Sequence, residues 1–284
     1  MLKILVTGAN GQLGSEFQFL EATSQHEFTL VDINDLDITN VDAVQTYFKQ
    51  HSIDLILNCA AYTAVDKAED EPEKAYAVNH LAVENLVKIC SEHDIQLIHF
   101  STDYVFNGEN HKPYVETDPV EPMGVYGKSK RAGEEAILNA PISALIIRTS
   151  WLYSVFGNNF VRTMMRLGHE RSELHVIYDQ VGTPTNARDL AKASFACIDK
   201  TENWQNKQQV YHYSNEGVTS WYDFALAIFD KENITCQVKP ILSKDFPTKA
   251  GRPHYSVLDK HKFKTDFDPE IPNWRNALNA AEFK

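Results

Sequence analysis

The chain has 284 residues, 43% hydrophobic and 23% charged, with a formal net charge of −12 from 27 basic and 39 acidic residues. That length holds one large core or a core with a smaller lobe, and the acidic balance excludes nucleic acid as the main partner, because phosphate backbones recruit Lys and Arg. No run approaches the ~18 apolar residues of a membrane span; the opening MLKILVTG has too short an apolar part for a secretory leader; and Cys59, Cys90, Cys197 and Cys236 form no CxxC pair, so a cytoplasmic protein with reduced thiols and no zinc site is expected.

KILVTG (3–8) reads as a buried strand ending in glycine, and QLGSEFQFLEAT (12–23) as the helix after it. FTLVD (28–32) is a second strand, VDAVQTYFKQH (41–51) a helix and DLILNCAAY (54–62) a third strand. Residues 71–93 carry Ala75, Val78, Leu81, Ala82, Leu86 and Ile89 at helical spacing, with Pro72 and acids at the start, as helix N-termini favour. QLIHFSTDYVF (96–106) is a strand running into a loop, PVEPMG (119–124) a non-helical approach to the helix bearing VYGKSKRAGE (125–134), and ALIIRTSWLY (144–153) another strand. Beyond about residue 155 the rhythm loosens: helices at 158–170, 187–199 and 220–232, strands at 174–179 and 210–214, and a Pro-, Lys- and Asp-rich tail over 236–272. Alternating strands and helices with continuous Ile/Leu/Val runs predict an α/β fold, a doubly wound, Rossmann-like parallel sheet with a smaller interleaved C-terminal lobe. The expected division is a dinucleotide-binding domain over 1–160, completed by parts of 175–215, and a mainly substrate-binding lobe over 161–284.

TGANGQLG places Gly8, Gly11 and Gly14 between the first strand and its helix. Glycines there permit a tight turn and close approach of backbone to a pyrophosphate, which the helix N-terminus attracts; the alternative is a plain strand–helix turn. Asp32 ends the second strand, where a carboxylate accepts hydrogen bonds from an adenosine ribose. No Lys or Arg lies between Ile4 and Phe48, so a ribose 2′-phosphate would meet Asp32 without a neutralising sequence neighbour, and NADH is favoured over NADPH. Ala60 and Ala61 leave space for a flat ligand or serve simple packing.

Strand ends are where open α/β sheets bind ligands, and FSTD (100–103) supplies Ser101, Thr102 and Asp103 there. Tyr126 and Lys130, four apart on the next helix, share a face. Alone the pair is a common surface motif. Beside a dinucleotide it suits ketone reduction: a phenol of pKa about 10 becomes a proton donor at neutral pH when an ammonium stabilises its phenolate, while the Thr102 hydroxyl holds the carbonyl oxygen.

With these residues in view, the chain resembles the extended short-chain dehydrogenase/reductases and, among them, the dTDP-4-dehydrorhamnose reductase family. The resemblance rests on TGANGQLG (7–14), AAYTAVDKAEDEPEKAYAVN (60–79), STDYVFNG (101–108), VYGKSKRAGE (125–134), IRTSWLY (147–153), GNNFVRTMMRL (157–167), DQVGTPTNARDLA (179–191) and GRP (251–253). It implies NAD(P)H-dependent reduction of the 4-keto group of dTDP-4-dehydro-L-rhamnose, with Thr102, Tyr126 and Lys130 as the catalytic set and Tyr126 as general acid. It further implies that Gly11, Gln12 and Leu13 touch the pyrophosphate, Asp32 the ribose, Asp37 and Ile38 the adenine, and that Ala60, Ala61 and Tyr62 line the cofactor groove. Val65, Thr102, Asp103, Trp151, Asn159 and Arg252 are implied as contacts to the sugar nucleotide. Trp151 also reads as a core aromatic, and Asn159 as a helix cap. Some members dimerise around a magnesium ion held by glutamates; Glu16 matches one position, but Arg188 stands at another, so no metal is expected and the state is monomer or homodimer. Competing readings are a nucleotide-sugar epimerase or dehydratase on the same scaffold, and a non-catalytic dinucleotide-binding regulatory subunit of methionine adenosyltransferase.

Overall fold

A computed structural model describes residues 1–283. Its centre is a six-stranded sheet: β1 (Lys3–Thr7), β2 (Glu27–Val31), β3 (Leu55–Asn58), β4 (Gln96–Thr102), β5 (Ala144–Thr149) and β6 (Gln208–His212). The spatial order is β2-β1-β3-β4-β5-β6, and every pairing is parallel. Successive strand side chains point to opposite faces. Ile4, Val6, Leu55, Leu57, Ile98, Phe100, Leu145 and Ile147 therefore enter one core, and Leu5, Ile56, Leu97, Ala144 and Ile146 the other. Burying each large aliphatic side chain stabilises the fold by roughly 1.5–3 kcal/mol, which explains why the strands read as unbroken apolar runs.

Helices α1 (Gln12–Leu20) and α6 (Ala187–Ile198) cover the first face. Helices α2 (Val41–Gln50), α3 (Ala82–His93) and α4 (Val125–Leu138) cover the second. Helix α5 (Phe160–Glu170) and helix α7 (Trp221–Glu232) build a separate apolar cluster with Glu173–Ile177 and its parallel partner Gln237–Ile241.

Several element boundaries differ from those expected. The helix expected over 71–93 is three pieces, with a π-helical turn at Ala77–Leu81 between Pro72–Tyr76 and α3. That turn fits a close approach: a Cβ on Gly133 of α4 would lie 2.2 Å from the Asn79 carbonyl oxygen. The strand expected over 144–153 breaks after Thr149, because Trp151 adopts φ +48°. The tail over 236–272 contains a strand, Gln237–Ile241, and a short helix, His261–Phe267, and another short helix, Trp274–Ala280, follows it. Among the described residues no helix is long and apolar enough to cross a membrane.

Candidate active site

The strand order reverses between β1 and β3, and a crevice opens beyond their carboxyl ends, as the topology of such sheets requires. A cavity of about 430 Å³ lies there, lined by Gly8, Gly11, Asp32, Asp37, Ile38, Ala60, Ala61 and Tyr62 among others. Gly8 has φ +65°, and a Cβ on it would lie 2.7 Å from the Ala60 backbone, so the β1 and β3 turns close tightly on each other. Ala60 thus packs against the glycine turn and also lines the cavity. Gly11 caps α1 without a side-chain cap and with no acid in the first turn, leaving the free N–H groups and positive dipole end that suit an anion. Gly14 lies off the cavity: its missing Cβ would sit 2.3 Å from the Gly8 carbonyl oxygen, so it allows α1 to pack on the turn. The Asp32 carboxylate accepts from the Asn10 amide at 2.8 Å and from the Ile33 amide at 2.7 Å, so it braces the glycine loop. Asp37 accepts from the Thr39 hydroxyl and amide, and the Ile38 carbonyl accepts from Asn85. Among the described residues no Lys or Arg lines this cavity.

A second cavity of about 530 Å³ shares Gly11, Cys59 and Ala61 with the first, and adds Gln12 and Leu13. It brings together Thr102, Asp103, Tyr126, Lys130, Val65, Trp151, Asn159 and Arg252. Thr102 ends β4; its Oγ1 donates to Asp103 Oδ1 at 3.0 Å and accepts from the Tyr104 amide at 3.2 Å. Burial lifts the Asp103 carboxyl to about 7, against the opposing pull of Ser256 and Thr102. Lys130 is 1% exposed; burial lowers its pKa to about 8, against the opposing Glu134 charge.

One expectation is corrected here. The Tyr126 phenol is not lowered: burial pushes it above its ordinary value, with only the Thr102 hydroxyl opposing. The Lys130 amino group instead donates to the Phe100 carbonyl at 2.7 Å and lies 3.2 Å from His99 Nε2. In this arrangement desolvation of the phenol outweighs any attraction to the ammonium one helical turn away.

Trp151 is half-buried, stacked on Trp221 with ring centroids 3.5 Å apart and 8° between planes. Its positive φ is a strained conformation for a bulky residue, of the kind held at functional sites; it is a cavity wall, not a core filler. Asn159 is the expected helix cap, its Oδ1 accepting from the Arg162 amide at 3.1 Å, and it also lines the cavity, its Nδ2 donating to Gln12 at 3.0 Å. Arg252 donates to Asp66 at 2.5 Å and to the Tyr104 hydroxyl at 3.2 Å, so its guanidinium is already paired at the cavity edge. Beyond it lies a groove of about 640 Å³ that also includes Phe246 and Met123. Glu16 and Arg188 form an ion pair at 2.7 Å. Among the described residues, no three His, Cys, Asp or Glu side chains are grouped to hold a metal.

Three features escaped the reading of the sequence. Cys59 lines both cavities, Trp221 comes from a distant helix, and the buried pair Glu134–Arg148 ties α4 to β5 through 2.8 and 2.7 Å hydrogen bonds. Glu134 did lie in a quoted motif, YGKSKRAGE, whose final acid carries the signal.

The chain is similar to known proteins along nearly its whole length. Residues 2–282 match the family described as RmlD substrate binding domain. A dTDP-4-dehydrorhamnose reductase of Aggregatibacter actinomycetemcomitans is 40% identical over 98% of this chain and 97% of its own. The crystal structure of a dTDP-4-dehydrorhamnose reductase from Clostridium acetobutylicum superposes with a TM-score of 0.93 at 40% identity, covering 98% of this chain and 97% of that one. One from Bacillus anthracis, solved in complex with NADP, gives 0.92 at 37% identity, over 98% and 97% of the two chains.

Proposed function

The chain belongs to the RmlD substrate binding domain family, and on that premise we propose that it reduces the 4-keto group of dTDP-4-dehydro-L-rhamnose to give dTDP-L-rhamnose, with a nicotinamide dinucleotide as reductant. The observation that carries this reading is the convergence of Thr102, Tyr126 and Lys130 on a cavity continuous with the glycine-loop cavity. The dinucleotide supplies the hydride. Thr102 Oγ1 holds the ketone oxygen, and the Tyr126 hydroxyl, kept protonated by burial, gives its proton to the developing alkoxide. Lys130 compensates the phenolate that remains. Trp151 and Trp221 offer a flat wall to the sugar, and Arg252, exchanging Asp66 for a diphosphate, suits the anionic part by charge and fork geometry.

The same reading takes 1–160 as the dinucleotide-binding part, completed by α6 and β6, and 161–284 as mainly the substrate lobe, in a cytoplasmic protein that acts as monomer or homodimer without metal. Support for the lobe is the separate cluster of α5 and α7. We read NADH as preferred over NADPH: Asp32 and Asp37 border the first cavity and, among the described residues, no Lys or Arg lines it, so a 2′-phosphate would meet carboxylates without a compensating cation. The test is oxidation of NADH or NADPH by the purified protein with dTDP-4-dehydro-L-rhamnose. Stoichiometric cofactor consumption supports a reductase; an epimerase or dehydratase would recycle it. Tyr126→Phe is expected to lower turnover by about 10²–10⁴ while the dinucleotide still binds, and intact turnover would remove Tyr126 from the role of acid.

A further inference from the structure

A line of buried polar side chains leads from Lys130 back to the dinucleotide cavity, and the reaction as described does not use it. Thr7, Asn58 and His99 are register partners on neighbouring strands, Thr7 opposite Asn58 and Asn58 opposite His99. Thr7 Oγ1 is 2.7 Å from Asn58 Oδ1, Asn58 Nδ2 is 3.0 Å from His99 Nδ1, and His99 Nε2 is 3.2 Å from Lys130 Nζ. None of the four residues is more than 1% exposed. At its far end Thr7 lines the cavity of the glycine loop.

We propose that this chain couples the charge of Lys130 to occupancy of the dinucleotide cavity, so that binding of the dinucleotide draws a proton onto Lys130. The inference rests on the cofactor reading above. Its basis is donor arithmetic. As placed, Thr7 donates to Asn58 Oδ1 and Asn58 Nδ2 donates to His99 Nδ1, which leaves the ring proton on Nε2, facing Lys130. Only a neutral amine accepts that proton. When Lys130 is an ammonium, it donates to Nε2, the ring proton moves to Nδ1, and the Asn58 amide turns over to receive it. The amide nitrogen then donates to Thr7 Oγ1, and the Thr7 hydroxyl, keeping its proton, turns to donate into the cavity. The two states differ by one proton taken from solvent. An acceptor on the bound dinucleotide near Thr7 selects the second state, and with it the charged Lys130.

The energetics place both states within reach. Burial draws Lys130 to about 8 and holds His99 well below its ordinary value, so the imidazole is neutral and switches tautomer instead of charging. The other titratable groups on the Lys130 side are Tyr126, one turn earlier on α4 and kept protonated by burial, Cys59, from the segment after β3, and Glu134 on α4, whose carboxylate is engaged by Arg148 and Arg131. None belongs to the chain.

The test is calorimetric titration of the protein with NADPH and NADH at about pH 8 in two buffers of different ionisation enthalpy, which gives the protons taken up per dinucleotide bound. Thr7→Val keeps the shape and removes the hydroxyl, whereas Thr7→Ser restores it. Uptake per bound dinucleotide should fall to about half or less in Thr7→Val and recover in Thr7→Ser. The negative charge of the dinucleotide acts equally in all three proteins, so it cannot produce that pattern. Nitrogen-15 shifts of His99 in the unsubstituted protein, which do not depend on any variant folding, should change from the Nε2–H to the Nδ1–H pattern on saturation. Unchanged uptake in Thr7→Val with binding intact, or one His99 tautomer throughout, overturns the coupling alone. Failure of either dinucleotide to bind overturns the cofactor reading and this inference with it.

Discussion

Glu134→Gln isolates what holds the candidate catalytic helix in place. The carboxylate is fully buried and accepts four hydrogen bonds: Ser101 Oγ at 2.7 Å, Arg148 Nε at 2.8 Å, Arg148 Nη2 at 2.7 Å and Arg131 Nη1 at 3.1 Å. An amide offers one acceptor in place of two and turns its nitrogen toward an arginine donor. Arg148 is 1% exposed, and its Nη1 has no partner among the described residues. Removing the carboxylate therefore leaves a buried cation uncompensated, a change that typically costs about 3–5 kcal/mol. Arg131 is partly exposed and adds little beyond this. With a urea slope of about 3 kcal/mol/M or more for a chain this long, the unfolding midpoint should fall by roughly 1 M at pH 7. The pH dependence supplies a second arm. Arg148 and Ser101 hold the Glu134 carboxyl below its ordinary value despite burial, so its contribution is complete above the unfolded value near 4.3 and is lost as pH falls through the lower folded value. The gap between parent and variant should therefore narrow below about pH 4. Replacing both partners, as Glu134→Leu with Arg148→Met, should recover much of the loss. A destabilisation by Glu134→Gln under about 1 kcal/mol, within the range of a surface pair, would refute the argument.

Gly14→Ala should weaken dinucleotide binding by tenfold or more and cost about 1–3 kcal/mol in unfolding, because the added Cβ meets the Gly8 oxygen at 2.3 Å and the Ala9 Cα at 2.6 Å, both backbone atoms; fluorescence titration with NADPH and urea unfolding measure the two. Asp103→Asn should raise the melting temperature more at pH 8 than at pH 5. The buried carboxyl titrates near 7, so its stability contribution is present below the unfolded value near 3.9 and lost as pH rises through 7, a span worth up to about 4 kcal/mol that the amide does not lose. A melting difference equal at the two pH values would contradict it.

The sheet was legible because burial on both faces leaves its strands no polar alternation: Ile4, Leu5 and Val6 are all buried, in two different cores. Glycine spacing marked the first turn because Gly8 and Gly14 meet backbone that a side chain would displace. What stayed hidden was set by distance along the chain. Trp221 stacks on Trp151 from 70 positions away, and neither carries a local signal for the other. Short elements such as His261–Phe267, at 7 residues, show less than two helical turns of periodicity.

The Tyr126–Lys130 pair shows where spacing stops being sufficient. Four residues on a helix place two side chains on one face, but they do not decide which partner each takes. Lys130 finds the Phe100 carbonyl and His99 because β4 ends beneath α4, a packing fact that the helix sequence does not contain. His99, one of the lysine's two partners, lies on a strand as a polar residue inside an apolar run, with nothing in its local sequence pointing to α4. In a parallel sheet the ends of adjacent strands lie side by side, so Thr7, Asn58 and His99, 51 and 41 residues apart, become a single row of donors and acceptors. The chemistry of one helical turn is then set beside a row of side chains crossing three strands, and a motif five residues long meets partners that its own spacing does not name.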